Sequence, residues 1–250
     1  MRDLSATWIY LSPHFDDVAL SCGGLAWEQA RRGDGVEIWT ICAGDPPPGA
    51  ISPFAESLHQ RWQTSHDAPA QRREEDKASC AVMGASAIHL PYPDCIYRRS
   101  EAENAPLYPS ENAIFGPLHP LDAPIVEQLK DELRLRLPEG AEVVCPITIG
   151  GHVDHRLVRA GADRLGRRLW YYADVPYVFS HPGDLARLIQ ANWTRQVFAI
   201  SDAGLAAWQQ AVAAHASQIT TFWPNVETMR AAIGGYCREN ESLRLWRAPE

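Results

Sequence analysis

Two short polar clusters in the sequence combine residue types that bind divalent cations. Residues 14–17 supply one imidazole and two carboxylates, and residues 152–155 supply two imidazoles and one carboxylate. A catalytic zinc site takes three protein ligands and leaves a fourth position for water or substrate. His14, Asp17 and His155 provide a two-nitrogen, one-carboxylate set of this kind. The two clusters therefore predict one metal site of a hydrolase.

The other polar residues of the clusters have natural roles in hydrolysis. Asp16 is a candidate general base, because zinc lowers the pKa of a bound water from about 15.7 to roughly 7. His152 is a candidate imidazolium that stabilises an oxyanion or protonates a leaving amine. Asp154 is a candidate to orient one of the two histidines, His152 or His155. In the alternative interpretation the carboxylates cap helices and the histidines are incidental, which leaves the complete ligand set unexplained.

Both clusters follow strand-like runs and precede helical patterns. Strands are predicted at 8–11, 35–41, 86–90, 142–147 and 169–173, and helices at 18–32, 71–83, 120–137 and 154–168. This alternation is typical of an α/β fold: a Rossmann-like, doubly wound, mostly parallel sheet with helices on both faces. Ligands bind such sheets where the strand order reverses. The clusters meet there if the strand at 142–147 lies beside the strand at 8–11.

Two irregular stretches and one later helix complete the expected architecture. Residues 43–70 and 91–119 are predicted to be long loops that form walls or a lid beside the crevice. A stripe of residues spaced three and four apart predicts one amphipathic helix that packs on the sheet or on a partner. The stripe consists of Leu205, Trp208, Val212, His215, Ile219 and Phe222.

Composition narrows the class of protein. A chain of 250 residues with 46% hydrophobic content is most simply one domain, spanning residues 1–250. Its net charge of −8 disfavours a nucleic-acid or anionic-membrane surface. No run approaches the ~18 apolar residues of a membrane span, and residues 1–4 lead into too short an apolar run for a signal peptide. Six cysteines without a C-x-x-C pair indicate reduced thiols. We expect a soluble cytoplasmic protein that binds a small molecule, with a homo-oligomer left open.

The segments around the clusters resemble the PIG-L/LmbE-like family of metal-dependent N-deacetylases. That family carries a His-Pro-Asp-Asp motif after its first strand and a His-Pro-Asp-His motif after a later one. Phe15 and Val153 replace the two prolines here, and neither side chain is asked to bind metal. Similar signatures lie at residues 22–24, 72–84, 90–94, 150–155, 171–177 and 215–218, so the resemblance covers most of residues 8–220.

The resemblance implies a zinc hydrolase, with iron(II) as the alternative in a reducing cytosol. Its reaction would remove the acetyl group from an N-acetylated amino sugar of the N-acetylglucosamine type, or from a conjugate of one, releasing acetate and a free amine. The implied zinc ligands are His14, Asp17 and His155. Asp16 matches the general base, and His152 matches the residue that stabilises the tetrahedral intermediate and protonates the amine.

The resemblance also implies substrate contacts by Arg72 and Asp94, which match positions that contact hydroxyl groups in sugar-processing members. Each has a structural alternative. Arg72 would pair with Asp76 at i, i+4 on a solvated helix face, and Asp94 would close a turn. Gly150 stands where mycothiol-pathway members have a tyrosine, which leaves more of the oxyanion stabilisation to His152 and the metal.

Two other functions stay open at this point. The same site would serve an amidase that cleaves another N-acyl group, on a glycopeptide or a thiol conjugate, because the pocket walls decide the substrate. A non-catalytic, metal-stabilised binding protein is the second alternative, and the presence of Asp16 and His152 argues against it. A nucleotide-dependent oxidoreductase is disfavoured, since no G-x-G-x-x-G follows the first strand.

Overall fold

The computed structural model describes residues 6–64, 68–240 and 242–249. Within these residues the chain forms a seven-stranded sheet in the order β3-β2-β1-β4-β5-β7-β6. The strands are β1 Thr7–Ser12, β2 Gly35–Thr40, β3 Ser86–His89, β4 Glu142–Pro146, β5 Leu169–Tyr172, β6 Thr194–Phe198 and β7 Leu243–Arg247. Strands β1 to β5 pair in parallel, whereas β7 pairs antiparallel with β5 and β6. The predicted Rossmann-like, mostly parallel sheet in a single domain is confirmed.

The strand order reverses between β1 and β4. Trp8 is in register with Glu142, and Tyr10 with Val144. From β1 the sheet continues to β2 and β3 on one side, and from β4 it continues to β5 on the other. The expected adjacency of these two strands is therefore correct. Both polar clusters follow strands that end at this switch point, where α/β sheets bind their ligands.

Helices cover both faces of the sheet. They are α1 Asp17–Arg32, α2 Pro53–Arg61, α3 Ala68–Met83, α4 Glu111–Ile114, α5 Ala123–Arg136, α6 Val153–Asp163, α7 Tyr177–Ser180, α8 Pro182–Leu188, α9 Asp202–Ala214, α10 Ala216–Phe222 and α11 Val226–Glu239. Because side chains alternate along a strand, β1 contributes to two cores. Trp8 and Tyr10 pack with α1 and α9, whereas Ile9 and Leu11 pack with α5 and α6.

The sequence predicted one long loop over residues 43–70, and this prediction is wrong. These residues contain α2 and the start of α3, with residues 65–67 outside the described part of the chain. Ser52 caps α2 by accepting a hydrogen bond from the amide of Ala55 at 3.1 Å. Residues 91–119 are irregular apart from a 3₁₀ turn at Cys95–Tyr97 and the short α4. Both stretches form walls of the crevice, as expected.

The single amphipathic helix predicted from Leu205 to Phe222 is also wrong, because the chain breaks into α9 and α10. The break lies at His215, whose ψ of 59° is outside the helical region. The Ser217 hydroxyl and amide both donate to Glu75 of α3, at 2.7 and 3.1 Å, and so attach α10 beside the crevice. Trp208 of α9 packs directly on α1, where a Cβ added to Gly23 would lie 2.8 Å from its ring.

Two of the seven strands, β6 and β7, have no counterpart in the sequence prediction, whose last strand was at 169–173. Helix 154–168 is likewise shorter than predicted and ends at Asp163. Among the described residues, no helix is long and apolar enough to cross a membrane. Each of the six cysteines is a buried free thiol. Residues 1–4, used above to argue against a signal peptide, lie outside the described residues.

Candidate metal centre and active-site pocket

Two helix N-termini bring the polar clusters together. Asp17 is the first residue of α1, and His152 is the N-cap of α6. The His152 Nδ1 accepts a hydrogen bond from the amide of Asp154 at 3.2 Å. In the first cluster, Ser12 braces the turn by donating to the carbonyl of His14 at 2.5 Å and accepting from the amide of Val18 at 3.2 Å. These local contacts fix both clusters at the carboxyl ends of β1 and β4.

The three predicted metal ligands meet around the carboxylate of Asp17. Its Oδ2 lies 3.2 Å from His14 Nδ1, and its Oδ1 lies 3.3 Å from His155 Nε2. The His155 Nε2 atom is buried and has no hydrogen-bond partner among the described residues. Because buried polar atoms are nearly always satisfied, this nitrogen fits a cation ligand. The chemistry of the donor set therefore fits a divalent metal.

The second ring nitrogen of each histidine contacts a buried carboxylate. His14 Nε2 lies 2.9 Å from Asp154 Oδ2, and His155 Nδ1 lies 2.6 Å from Asp174 Oδ1. Metal-binding histidines commonly donate this nitrogen to a carboxylate, which fixes the tautomer and the ring orientation. The structure thus places Asp154 beside His14. Asp174 was missed, although its position just after β5 at the same sheet edge is a signal that could have found it.

Other donor groups are also close enough to hold a cation. Within the described part of the chain, the groups whose ligand atoms all lie within 4.8 Å are His14 with His152 and His155, Cys95 with His152 and Asp154, and His14 with Asp94 and Asp154. The last two share Asp154, whose Oδ1 lies 2.7 Å from the Nη2 of buried Arg98. Since a guanidinium at that distance repels a metal ion, the two groups that contain Asp154 are poorer candidates than the set of His14, Asp17 and His155.

The protonation of the three imidazoles differs. Burial lowers the pKa of His14, but hydrogen bonds to Asp154 and Asp17 outweigh it and raise this pKa well above the usual range. Burial of His155 is likewise outweighed by its carboxylate neighbours, so its pKa rises to about 9. Burial, with the nearby charge of His14, holds the pKa of His152 well below the usual range. His152 is therefore neutral at pH 7, whereas the other two must lose a proton before a metal binds.

Asp16 and Arg72 form a buried ion pair at the floor of the crevice. Arg72 Nη2 donates to Asp16 Oδ1 at 3.0 Å. The alternative that Arg72 pairs with Asp76 is wrong, because Asp76 Oδ2 instead lies 2.7 Å from His89 Nε2. The Arg72 guanidinium also lies over the ring of Trp62, 5.0 Å from its centroid. Arg72 thus belongs to the site rather than to a solvated helix face.

Asp94 both caps a turn and lines the crevice. Its Oδ1 accepts a hydrogen bond from the amide of Ile96 at 3.2 Å and so caps the 3₁₀ turn that follows. Its carboxylate also lines the crevice, and its Oδ2 lies 3.8 Å from His14 Nε2. Turn closure therefore does not remove Asp94 from the site.

The crevice encloses a cavity of about 790 Å³ with a polar floor and apolar walls. Its floor includes His14, Asp16, Asp17, Arg72 and His152. Its walls come from four separate parts of the chain. The apolar wall residues are Phe54, Leu58, Trp62, Ile96, Ile114, Phe115, Tyr177, Phe179, Phe222 and Trp223.

Known proteins share both the sequence and the fold. The sequence is 28% identical to the 2'-N-acetylparomamine deacetylase of Niallia circulans over 205 residues, covering 72% of this chain and 71% of that protein. The fold is similar to the zinc-inhibited form of the teicoplanin deacetylase Orf2, with a TM-score of 0.83, 24% identity and 97% of each chain covered. It is also similar to the A40926 pseudoaglycone deacetylase Dbv21, with a TM-score of 0.71, 26% identity and coverage of 99% and 100%.

A family profile decides the relationship. The family described as GlcNAc-PI de-N-acetylase, PIG-L, matches residues 9–165, which contain both polar clusters and the strands that carry them. The match extends over more than half of the chain. The expectation of a hydrolytic deacetylase is confirmed at this level, and the chain belongs to the PIG-L family.

Proposed function

We propose that this protein is a metal-dependent hydrolase that removes the N-acetyl group from an N-acetylated amino sugar carried in a larger conjugate. One observation carries the proposal. Asp17, at the floor of a large cavity, lies 3.2 Å from His14 Nδ1 and 3.3 Å from the buried Nε2 of His155. The His155 Nε2 has this carboxylate as a neighbour but makes no hydrogen bond of standard geometry with it, as expected of two donors that share one cation.

His14, Asp17 and His155 would hold the metal. When bound, it would activate a water molecule near neutral pH and polarise the amide carbonyl. Zinc is the first candidate and iron(II) the alternative. One of the similar solved structures is the zinc-inhibited form of the teicoplanin deacetylase Orf2. Activity is therefore measured with zinc and with iron(II).

Asp16 would act as the base. Arg72 contacts one oxygen of this buried carboxylate and so holds it at the cavity floor. Asp16 lines the same cavity as the proposed ligand Asp17, so it would take the proton from a water activated there. After accepting the proton, Asp16 is also a source of the proton that the leaving amine requires.

His152 would stabilise the oxyanion as a neutral hydrogen-bond donor. Its Nδ1 accepts a hydrogen bond from the amide of Asp154, which assigns the ring proton to Nε2. Because its pKa is lowered, the ring keeps this neutral tautomer at pH 7. An Nε2–H group that lines the cavity can donate to the developing negative charge. This role replaces the resident imidazolium that the sequence suggested.

The cavity favours a conjugate over a free monosaccharide. Its volume of about 790 Å³ lies in the range of roughly 300–1,000 Å³ that is typical of sites for drug-sized ligands. The amino sugar would occupy the polar floor, where Arg72 and Asp94 would contact its hydroxyls. An apolar part of the conjugate would lie against the aromatic walls. The names of the relatives, which include teicoplanin and A40926 pseudoaglycone deacetylases, agree with a substrate of this size.

The test measures both products. Protein loaded with zinc or iron(II) is incubated with N-acetylglucosamine, its oligomers and N-acetylated glycoconjugates, and acetate and primary amine are quantified together. Equal release of acetate and amine from a conjugate is expected. Amine with a different acid would indicate the alternative amidase. No product from any amide at full metal occupancy would overturn the hydrolase and leave the metal-stabilised binding protein.

A further inference from the structure

We propose that Arg98 is a positioning residue for the metal site, acting through Asp154 on the ring of His14. Arg98 is 4% exposed and is not among the residues that line the cavity. It therefore cannot act by touching the substrate. The inference rests on the proposed function, because it assumes that His14 is a metal ligand.

The contacts form an unbroken buried path to His14. Arg98 Nη2 lies 2.7 Å from Asp154 Oδ1, and Asp154 Oδ2 lies 2.9 Å from His14 Nε2. The same Oδ2 accepts a hydrogen bond from the amide of Cys95 at 3.0 Å. Asp154 is 0% exposed, so each of its oxygens depends on these partners. An ion pair at one oxygen and two close polar contacts at the other restrict the rotation of this carboxylate, and of the His14 ring that donates to it.

Arg98 is itself fixed from behind. Its Nε lies 3.3 Å from Oδ1 of Asp122, a carboxylate with 0% exposure. The Tyr108 hydroxyl donates to Asp122 Oδ2 at 2.5 Å, and its ring lies 5.2 Å from the Arg98 guanidinium carbon. A guanidinium placed between two buried carboxylates has a defined position, because each ion of a buried pair must be compensated.

The direction of this path gives it a role beyond stability. When Asp154 accepts the Nε2 proton of His14, the lone pair of Nδ1 is left on the side of Asp17, where it would bind a cation. Asp154 alone, without Arg98, would be an unbalanced buried anion that attracts the metal to itself. Arg98 therefore both orients His14 and keeps the cation at the histidines.

The experiment compares Arg98→Met, which removes the charge, with Arg98→Lys, which keeps it. Arg247→Met is the matched control, because Arg247 also pairs with a carboxylate, Glu142, and lies over an aromatic ring. Zinc affinity is measured by competition with a chromophoric chelator, and the absorption spectrum of the cobalt(II)-loaded protein reports ligand geometry. Arg98→Met is expected to weaken zinc binding about 10- to 100-fold and to change the cobalt spectrum. Arg98→Lys is expected to recover part of the affinity, and Arg247→Met to match wild type.

A folded Arg98→Met protein with wild-type zinc affinity and cobalt spectrum overturns the inference while the proposed function stands. A wild-type protein that binds neither metal overturns the proposed function, and this inference with it. If Arg98→Met does not fold, Tyr108→Phe decides, because it leaves Arg98 in place and removes the hydroxyl that donates to Asp122 and accepts from the amide of His119. That variant is expected to weaken zinc binding about 2- to 10-fold, and unchanged affinity would contradict the inference.

Discussion

The two histidines of the proposed metal site are held by carboxylates in contrasting surroundings. Burial raises the pKa of Asp154, but the charge of Arg98 outweighs it, and this pKa lies well below the usual range. Burial also raises the pKa of Asp174, and there the hydrogen bond from His155 and the amide of Ile149 do not outweigh it. The His14 side therefore contains a permanent carboxylate, whereas the carboxylate on the His155 side depends on its histidine for charge compensation.

The two carboxylates therefore respond differently to a change of charge at the metal site. Asp154 is ionised with or without a metal, because Arg98 balances its charge at all times. No cationic side chain other than His155 lies within salt-bridge distance of Asp174 among the described residues. Its ionisation is therefore coupled to whatever charge His155 carries. One histidine is held in a prepared orientation, and the other adjusts with the state of the metal.

Removing either proposed histidine ligand should remove the metal itself, and with it the difference between the two sides of the site. His14→Ala and His155→Ala are each expected to lose bound metal and all metal-dependent turnover, because three donors are needed to hold the ion. Metal content of the purified, folded variants is measured by mass spectrometry. His89→Ala is the control, since His89 contacts Asp76 and lies outside the cavity lining. A full equivalent of metal in both ligand variants would show that the ligand set is wrong.

Removing the proposed base, Asp16, should leave the two histidine–carboxylate pairs and the metal in place. Asp16→Asn is expected to keep its metal and to lose a factor of ~10²–10⁴ in rate, the usual contribution of general acid-base catalysis. The amide can still accept a hydrogen bond from Arg72, so the fold should be preserved. Metal content and kcat are measured on the same preparation. Loss of the metal would move Asp16 into the ligand set, and unchanged kcat would remove it from the reaction.

The pH dependence of the stability of the metal-free protein tests the side of the site that contains His155 and Asp174. The pKa of His155 is about 9 in the folded state and about 6.5 in an unfolded chain. A raised pKa gives stability that is complete below pH ~6.5 and is lost as the pH rises through about 9. The loss should approach about 3 kcal/mol, roughly a few hundredfold in the unfolding equilibrium. Chemical denaturation at pH 6, 7.5 and 9 measures it.

Two comparisons check this assignment. Metal-free His155→Gln should show a smaller decline in stability with pH, because it cannot carry the proton. Metal-loaded wild type should show little decline, since its ligand imidazoles are already deprotonated. The same decline in all three proteins would assign the effect to other groups.

The two supporting carboxylates should differ when each is made an amide. Asp154→Asn leaves Arg98 with one carboxylate fewer and is expected to weaken zinc affinity about 10- to 100-fold. Asp174→Asn keeps an oxygen that accepts from His155 and removes a charge that burial already disfavours, so a loss below about tenfold is expected. Zinc competition titrations at pH 7.5 rank the two variants. The opposite order would reverse the roles assigned to the two sides.

The parallel half of the fold could be predicted because each strand there is followed by a helix with its own apolar face. The antiparallel strands could not. The residues of β6 are mostly exposed and show no buried face, and β7 pairs antiparallel with both β5 and β6, which a βαβ alternation does not predict. The break at His215 was invisible for a related reason, since an apolar stripe records which residues are buried and not where the backbone turns.

The site divides in the same way. His14 and His155 could be recognised because each is adjacent in sequence to other residues with chemical roles. Arg98 and Asp174 stand alone in the sequence, and only distances show what they contact. Arg98 precedes Arg99 in a stretch that reads as solvated, yet Arg98 is 4% exposed and Arg99 is not buried. Which of two neighbouring arginines becomes buried depends on the tertiary structure, and the spacing of residues in the sequence does not encode it.

The cavity walls and the cavity floor have separate origins in the chain. The floor follows strand ends near the switch point, whereas the walls come mainly from residues 54–62, 94–115, 176–181 and 218–223. Substitutions of wall residues such as Phe54, Phe115 and Trp223 can change which conjugate fits without moving the metal ligands or their supports. Selection can therefore retune substrate choice in gradual steps while the chemistry is inherited unchanged. A family built on this plan is expected to diversify in what it recognises far faster than in what it does.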